Sequence, residues 1–224
     1  MQRFSLIDYP GKICAIIFTQ GCNFRCPYCH NPELVNPKEF GECIAHDEIF
    51  SFLERRRGKL DAVSITGGEP TIQNDLVGFI KKIKDLGYLV KIDTNGTMPD
   101  ILEELMGKKL LDLIAMDVKA PLDKYKKIVK ASVDTRRIEE SIHLIMNSGI
   151  DYEFRTTIVK SLLDEEDIKK IGMVIEGADC YILQKFVPSK TLNPKFMNEK
   201  TFTDEEFERT FKSLEKLVKS VIIR

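Results

Sequence analysis

Short apolar runs alternate along this chain with longer stretches of helical period. Residues 13–18, 62–66, 89–94, 113–118, 152–159 and 180–186 read as strands, and each is followed by segments with apolar positions three or four apart. Residues 47–57 form a helix capped by Asp47. Asn74 caps a second helix, which carries Leu76, Phe79, Ile80, Ile83 and Leu86 on one face and stops at Gly87. A third spans 99–106, Pro121 opens a short one, Asp134 precedes a longer one ending near Gly149, and residues 164–176 follow. A polar, proline-containing crossover over 187–200 leads to a last helix. This helix begins near Thr203, runs to about residue 222, and buries Phe207, Phe211, Leu214, Leu217, Val218 and Val221. At the other end, residues 3–8 and 13–18 flank a Pro10-Gly11 turn, the mark of a short hairpin.

Six strand–helix units predict an α/β protein with a parallel sheet and helices outside it. A complete eight-unit barrel takes about 250 residues. The 224 residues here suit a partial (β/α)6 barrel, and the pattern alone leaves a doubly wound sheet open. One domain over 1–224 is expected: a hairpin over about 1–18, a core barrel over about 13–186 and the C-terminal helix over about 203–222. Lys and Arg (34) balance Asp and Glu (35), so no excess of positive charge points to nucleic acid or an anionic membrane. No apolar run approaches the roughly 20 residues of a membrane span. A cytoplasmic, reducing location is expected, where closely spaced cysteines serve metal or redox chemistry. Cys14 and Cys180 lie in apolar runs and read as small buried hydrophobes; Cys43 has no assigned role.

The remaining cysteines stand together in Gly21-Cys22-Asn23-Phe24-Arg25-Cys26-Pro27-Tyr28-Cys29-His30-Asn31, just after the first barrel strand. Three thiolates on one short loop can hold three corners of a four-iron cluster and leave the fourth iron to a substrate. Parts of the loop also match a dithiol redox motif, a c-type haem attachment site and a Cys3His zinc site that would use His30. Haem attachment requires export, the dithiol reading leaves Cys22 unexplained, and zinc does not account for the Gly67-Gly68-Glu69 strand end. His30 is expected to support the loop, since a side chain adjacent to Cys29 cannot easily reach the same metal. His46 and His143 are given no function.

Those later strand ends carry the other candidates: Thr66-Gly67-Gly68-Glu69-Pro70, Asp93-Thr94-Asn95-Gly96, Asp117 with Lys119, Arg155 with Thr157, and Gln184. The carboxyl ends of parallel strands are where such folds build active sites. Gly67 and Gly68 let backbone lie against a ligand, or simply make a strand-to-helix turn. Asp117 and Lys119 point to one side while Met116 and Val118 point to the other. A charged pair on one face of a buried strand calls for a polar cavity or a ligand, or forms a plain strand-end ion pair. Asp93 with Asn95, and Arg155 with Thr157, follow the same alternation. Asn95 also suits a left-handed turn, and Arg155 also suits a partner for a nearby acid.

The cysteine loop resembles the cluster loop of radical S-adenosylmethionine (SAM) enzymes, and Cys29-His30-Asn31-Pro32-Glu33 resembles the glycyl-radical-enzyme activases in particular. From Ser5-Leu6-Ile7-Asp8-Tyr9-Pro10-Gly11-Lys12 to about Gln184 the chain resembles activating proteins of anaerobic ribonucleoside-triphosphate reductases. The resemblance implies an open barrel in which Cys22, Cys26 and Cys29 hold a [4Fe-4S] cluster whose free iron takes the amino and carboxylate groups of SAM. It places Gly67, Gly68 and Glu69 at the SAM amino group, Lys119 at its carboxylate, Asp117 at the ribose and Tyr28 at the adenine. Asp93, Asn95, Arg155 and Gln184 become ligand or substrate contacts. One electron from reduced flavodoxin or ferredoxin would then cleave SAM, and the radical would abstract a glycine hydrogen from the reductase to leave a glycyl radical. Activation of a pyruvate formate-lyase-type enzyme and small-molecule radical SAM chemistry stay open, as does, from a different class, a non-catalytic iron–sulfur electron carrier.

Overall fold

The computed structural model describes residues 1–224. In chain order the elements are β1 (Gln2–Ser5), β2 (Cys14–Thr19), α1 (Pro32–Val35), α2 (His46–Arg55), β3 (Ala62–Gly67), α3 (Leu76–Asp85), β4 (Leu89–Thr94) and α4 (Pro99–Gly107). There follow β5 (Leu113–Asp117), α5 (Tyr125–Val129), α6 (Thr135–Met146), β6 (Asp151–Ile158), α7 (Glu165–Val174), β7 (Tyr181–Lys185), α8 (Asp204–Leu214) and β8 (Val221–Ile223). All eight strands join one sheet in sequence order. β1 runs antiparallel to β2, and every later pair is parallel. β1 and β8 form its two edges, so the barrel is open.

Alternation along the strands divides the sheet into two unlike faces. Ile17, Ile65, Ile92, Ile114, Met116, Phe154 and Leu183 turn outward into a cluster of 47 buried residues. The helices complete it with Leu53, Ile80, Leu102, Leu105, Ile138 and Ile168. On the inner face, Cys14, Ile16, Ala62 and Leu113 gather toward the amino ends of the strands with Tyr9 from the loop after β1. Burial, together with Asp112 and Asp151 beside it, pushes the Tyr9 hydroxyl up to about 12. One layer further along, the same face carries buried Ser64, Lys91 and Glu153.

Local signals account for most element ends. Asp134 caps α6 by accepting from the Arg136 amide, and Asp164 and Thr203 each begin a reciprocal capping box. Gly87, at φ +89°, ends α3. Two expected caps are corrected. α2 begins at His46 with Ala45 at its cap, leaving Asp47 in the first turn, where a carboxylate suits the positive helix end. α3 is preceded by Asp75, whose side chain makes no cap hydrogen bond, so Asn74 does not cap it. α1 was not foreseen.

The last helix is also shorter than its apolar spacing suggests. α8 stops at Leu214 because the following backbone is claimed by the α7–β7 connection. Gly177 N–H donates to the Leu217 carbonyl at 2.7 Å, Lys219 N–H to Ala178 at 2.8 Å, and Tyr181 N–H to Ser220 at 2.9 Å. The chain then runs beside β7 as the parallel edge strand β8. Leu214 and Val218 are still buried, so the apolar positions point inward although no helix carries the second of them. No helix is long and apolar enough to cross a membrane.

Candidate active site

A cavity of about 280 Å³ opens at the carboxyl ends of the central strands. Cys22, Cys26, Tyr28 and Cys29 line it on one side, and Gly67, Gly68, Glu69, Asp93, Asn95, Asp117, Lys119, Arg155, Thr157 and Gln184 line the rest. Residues spread over more than 160 positions of sequence therefore meet in one place.

The cysteine loop is tied down from three directions. Gly21 N–H donates to Leu34 of α1 at 2.8 Å, and Arg25 N–H donates to Val129 of α5 at 2.8 Å. From the crossover after β7, Leu192 N–H reaches the Cys29 carbonyl and Asn193 N–H the Pro27 carbonyl, both at 2.9 Å. Lys190 adds an ion pair to Glu33 at 2.7 Å. This strap was expected only as a connection, because nothing local in residues 187–200 announces backbone bonds to a segment so distant. His30 is exposed and stacks on Phe186, with ring centroids 5.3 Å apart and planes at 8°. It supports the rim of the loop.

The glycine pair has a steric cause. Gly67 has φ +113°, and a Cβ there would lie 2.6 Å from the Thr19 backbone. A Cβ on Gly68 would lie 1.9 Å from the Gly21 carbonyl oxygen. Gly68 N–H donates to Thr19 at 2.9 Å and Glu69 N–H to Gly21 at 2.8 Å, which docks this turn against the root of the cysteine loop. Glu69 itself is only 1% exposed. Its Oε1 accepts from Thr71 N (3.1 Å), Thr71 Oγ1 (2.5 Å) and Thr94 Oγ1 (2.7 Å), and its Oε2 accepts from Asn95 N at 2.7 Å. Burial raises its pKa and these donors oppose the rise. A carboxylate offers about four acceptor sites, so most of Glu69 is spent on joining the ends of β3 and β4.

Asn95 is likewise occupied. Its Nδ2 donates to Asn23 Oδ1 at 2.8 Å, while its Oδ1 accepts from Thr97 N (3.1 Å) and Thr97 Oγ1 (2.7 Å). The left-handed turn conformation belongs to Gly96, at φ +74°, rather than to Asn95. Asn95 thus connects the end of β4 to the cysteine loop.

The charged residues form a chain across β4, β5 and β6. Arg155 Nε donates to Asp117 at 2.9 Å, and its Nη1 lies 3.4 Å from Asp93 and 3.8 Å from Glu153. Lys119 Nζ donates to the other Asp117 oxygen at 2.8 Å, and Lys91 pairs with Asp93 at 2.5 Å. Burial pushes the Asp117 carboxyl up, but Arg155 and then Lys119 more than offset it and hold the group well below the usual range. Lys119 is held above its ordinary value by Asp117 against the effect of burial. Thr157 Oγ1 donates to Gln184 at 3.3 Å. Lys91, Glu153, Asn23 and Thr97 escaped the sequence reading. The first two were visible in principle, since each sits two residues before a chosen strand-end residue on the same face.

Comparisons with known proteins fit this geometry. The family model of the radical SAM superfamily matches residues 16–174. A Methanocaldococcus jannaschii protein named as a glycyl-radical enzyme activating enzyme is 39% identical over 98% of this chain and 92% of its own length. The pyruvate formate-lyase-activating enzyme of Clostridium pasteurianum is 30% identical over 86% of this chain and 81% of its own. In fold, the Streptococcus suis protein SuiB in its S-adenosylmethionine-bound structure superposes with a TM-score of 0.71 at 15% identity, over 94% of this chain and 49% of SuiB. The chain is a radical SAM enzyme, and within that superfamily it belongs to the glycyl-radical-enzyme activating enzymes.

Radical SAM enzymes work with a [4Fe-4S] cluster and SAM, and the residues present fit both. Three thiols on one loop are a soft donor set suited to iron–sulfur ligation. Burial pushes the Cys22 thiol up to about 11 and Cys26 up to about 12, and raises Cys29; the Lys119 cation opposes the rise at all three. Metal binding displaces such thiol protons. Tyr28 lines the cavity, and its hydroxyl is buried without a hydrogen-bond partner.

Gly68→Ala drives a Cβ into backbone that cannot yield, and is expected to lower unfolding free energy by about 3 kcal/mol or more. Gly78→Ala, inside α3 with open space around it, should instead raise it by roughly 0.5–1 kcal/mol. Denaturant titration of the two variants checks the contrast. Lys91→Met strands Asp93 with less positive charge in a buried site and should cost about 3–5 kcal/mol by the same measurement.

Proposed function

We propose that this enzyme activates anaerobic ribonucleoside-triphosphate reductase by abstracting a hydrogen atom from a glycine of that partner. The observation that carries the reading is a single cavity that joins the three-cysteine loop to a row of buried charges at the mouth of an open barrel. The choice of reductase is supported by the run from Ser5 to Lys12 and on to Glu33, which resembles the reductase activators. A pyruvate formate-lyase-type partner is the second reading, favoured by the Clostridium pasteurianum relative.

When bound, the cluster and SAM supply a 5′-deoxyadenosyl radical once one electron arrives from reduced flavodoxin or ferredoxin. In this reading the protein contributes position and charge. Cys22, Cys26 and Cys29 hold the cluster on a loop braced by α1, α5 and the strap. Lys119 and Arg155 present cations to the SAM carboxylate, with Asp117 between them fixing both heads. The backbone of the Gly67–Gly68 turn meets the amino group, aided by what acceptor capacity Glu69 retains. Asp93 and Asp117 offer acceptors to ribose hydroxyls, Tyr28 lies against the adenine, and Asn95 holds the cysteine loop to β4. Thr157 and Gln184 lie toward the side from which a substrate glycine would enter. A barrel open on one side and at its mouth leaves room for a loop of a large partner.

Reduced, cluster-loaded enzyme incubated with SAM and the reductase should yield a glycyl doublet by electron paramagnetic resonance, and Ala at Cys22, Cys26 or Cys29 should abolish it. A doublet on pyruvate formate-lyase and none on the reductase would reassign the partner. Lys119→Ala removes a charge-assisted contact and should weaken SAM binding about tenfold or more in a binding titration, with the cluster spectrum unchanged.

A further inference from the structure

We propose that Arg25, Lys126, Lys127 and Lys130 form the docking surface for an acidic ferredoxin-type electron carrier. The inference rests on the reading above in one respect: the cysteine loop must receive one electron per turnover. The other cysteines cannot relay it. Cys14 is buried on the inner face of the sheet, Cys43 is exposed, and Cys180 lies half-buried immediately before β7. The electron therefore enters the loop from a protein docked close to it. The barrel mouth is excluded as that place, because substrate must reach the cavity there.

α1, with Glu33 in its first turn, carries no cation, and two other flanks of the loop remain. The strap covers one through Leu192 and Asn193, and its Lys190 is already paired with Glu33. α5 forms the other. Arg25 binds Val129 of α5 through its backbone, and its exposed guanidinium donates to the carbonyls of Cys22 (2.5 Å) and Phe24 (2.7 Å), directly over the loop. α5 buries Tyr125, Ile128 and Val129 and turns Lys126 and Lys127 outward. Lys130 follows in a left-handed conformation, φ +52°, also exposed.

None of these four side chains is in an ion pair. The neighbouring Lys124 is, with Asp167 at 2.7 Å, and Asp123 is the one acid within the run from Lys119 to Lys130. On a chain of net charge −1, four unpaired cations beside the redox loop are a local concentration that the whole protein does not share. Such a patch steers an oppositely charged protein and sets its register. Ferredoxin clusters reach the low-potential end of the iron–sulfur range, which suits reduction of another cluster. The step balances simply: ferredoxin loses one electron, the enzyme's cluster gains it, and no bond is made or broken.

The test compares the cluster-loaded wild type with a Lys126→Glu/Lys127→Glu/Lys130→Glu variant, using a plant-type [2Fe-2S] ferredoxin. Calorimetric Kd for the ferredoxin should rise at least tenfold, and its dependence on salt should flatten. KM for reduced ferredoxin in SAM cleavage should rise in parallel, while cleavage driven by dithionite stays unchanged. Charge reversal at Lys212 of α8 and at Lys216, just past its end, should leave all three readouts as in wild type. Unchanged ferredoxin affinity in the triple variant, or equal weakening by the α8 control, overturns the proposal. So does a loss confined to a flavodoxin run in parallel. If dithionite gives no SAM cleavage in the wild type, the functional reading fails, and the calorimetry still decides the docking surface.

Discussion

One guanidinium sets the terms for this fold. Arg155 lies between Asp117 and Asp93 with Glu153 behind it, and Lys119 and Lys91 complete three cations against three anions on the inner face of the sheet. Desolvating six charges is unfavourable, and their mutual attraction offsets it only where geometry is good and each head is hydrogen-bonded. A sheet with its inner face committed to charge cannot draw its stability from that side. The apolar burial falls on the outer face, where strands and helices form the large common cluster.

The second constraint is the union of three loops. The cysteine loop, the Gly67–Gly68 turn and the end of β4 share hydrogen bonds through Gly21, Glu69, Asn23, Asn95 and Thr97. Groups that would be read as ligand contacts from sequence alone are here largely occupied in fixing one another. Lys119, Arg155, Tyr28 and the glycine turn also line the cavity, the two cations being paired with Asp117 at the same time.

Much of this was legible in the chain. The span of β4 matches its apolar run at both ends, and strand alternation correctly placed Asp93, Asp117, Lys119 and Arg155 on one face. The same alternation read two residues deeper identifies Lys91 and Glu153. Other features had no local signature. β8 is three residues long and continues the helical spacing of Phe207, Phe211, Leu214 and Leu217, so only the hydrogen bonds from the α7–β7 connection reveal where the helix gives way. The strap over the cysteine loop is also a matter of backbone partners, which side-chain pattern does not encode. Asp47 and Asn74 were good cap residues at places where the cap fell two residues earlier, at Ala45, and one residue later, at Asp75.

The contact between Gly68 and the Gly21 carbonyl leaves no room for even a methyl group. Positions 21 and 68 therefore form a single close-packed joint between the cysteine loop and the turn after β3. Redesign of either half, for a different sulfonium or a different cluster, inherits the other half's alignment unless both positions are rebuilt together.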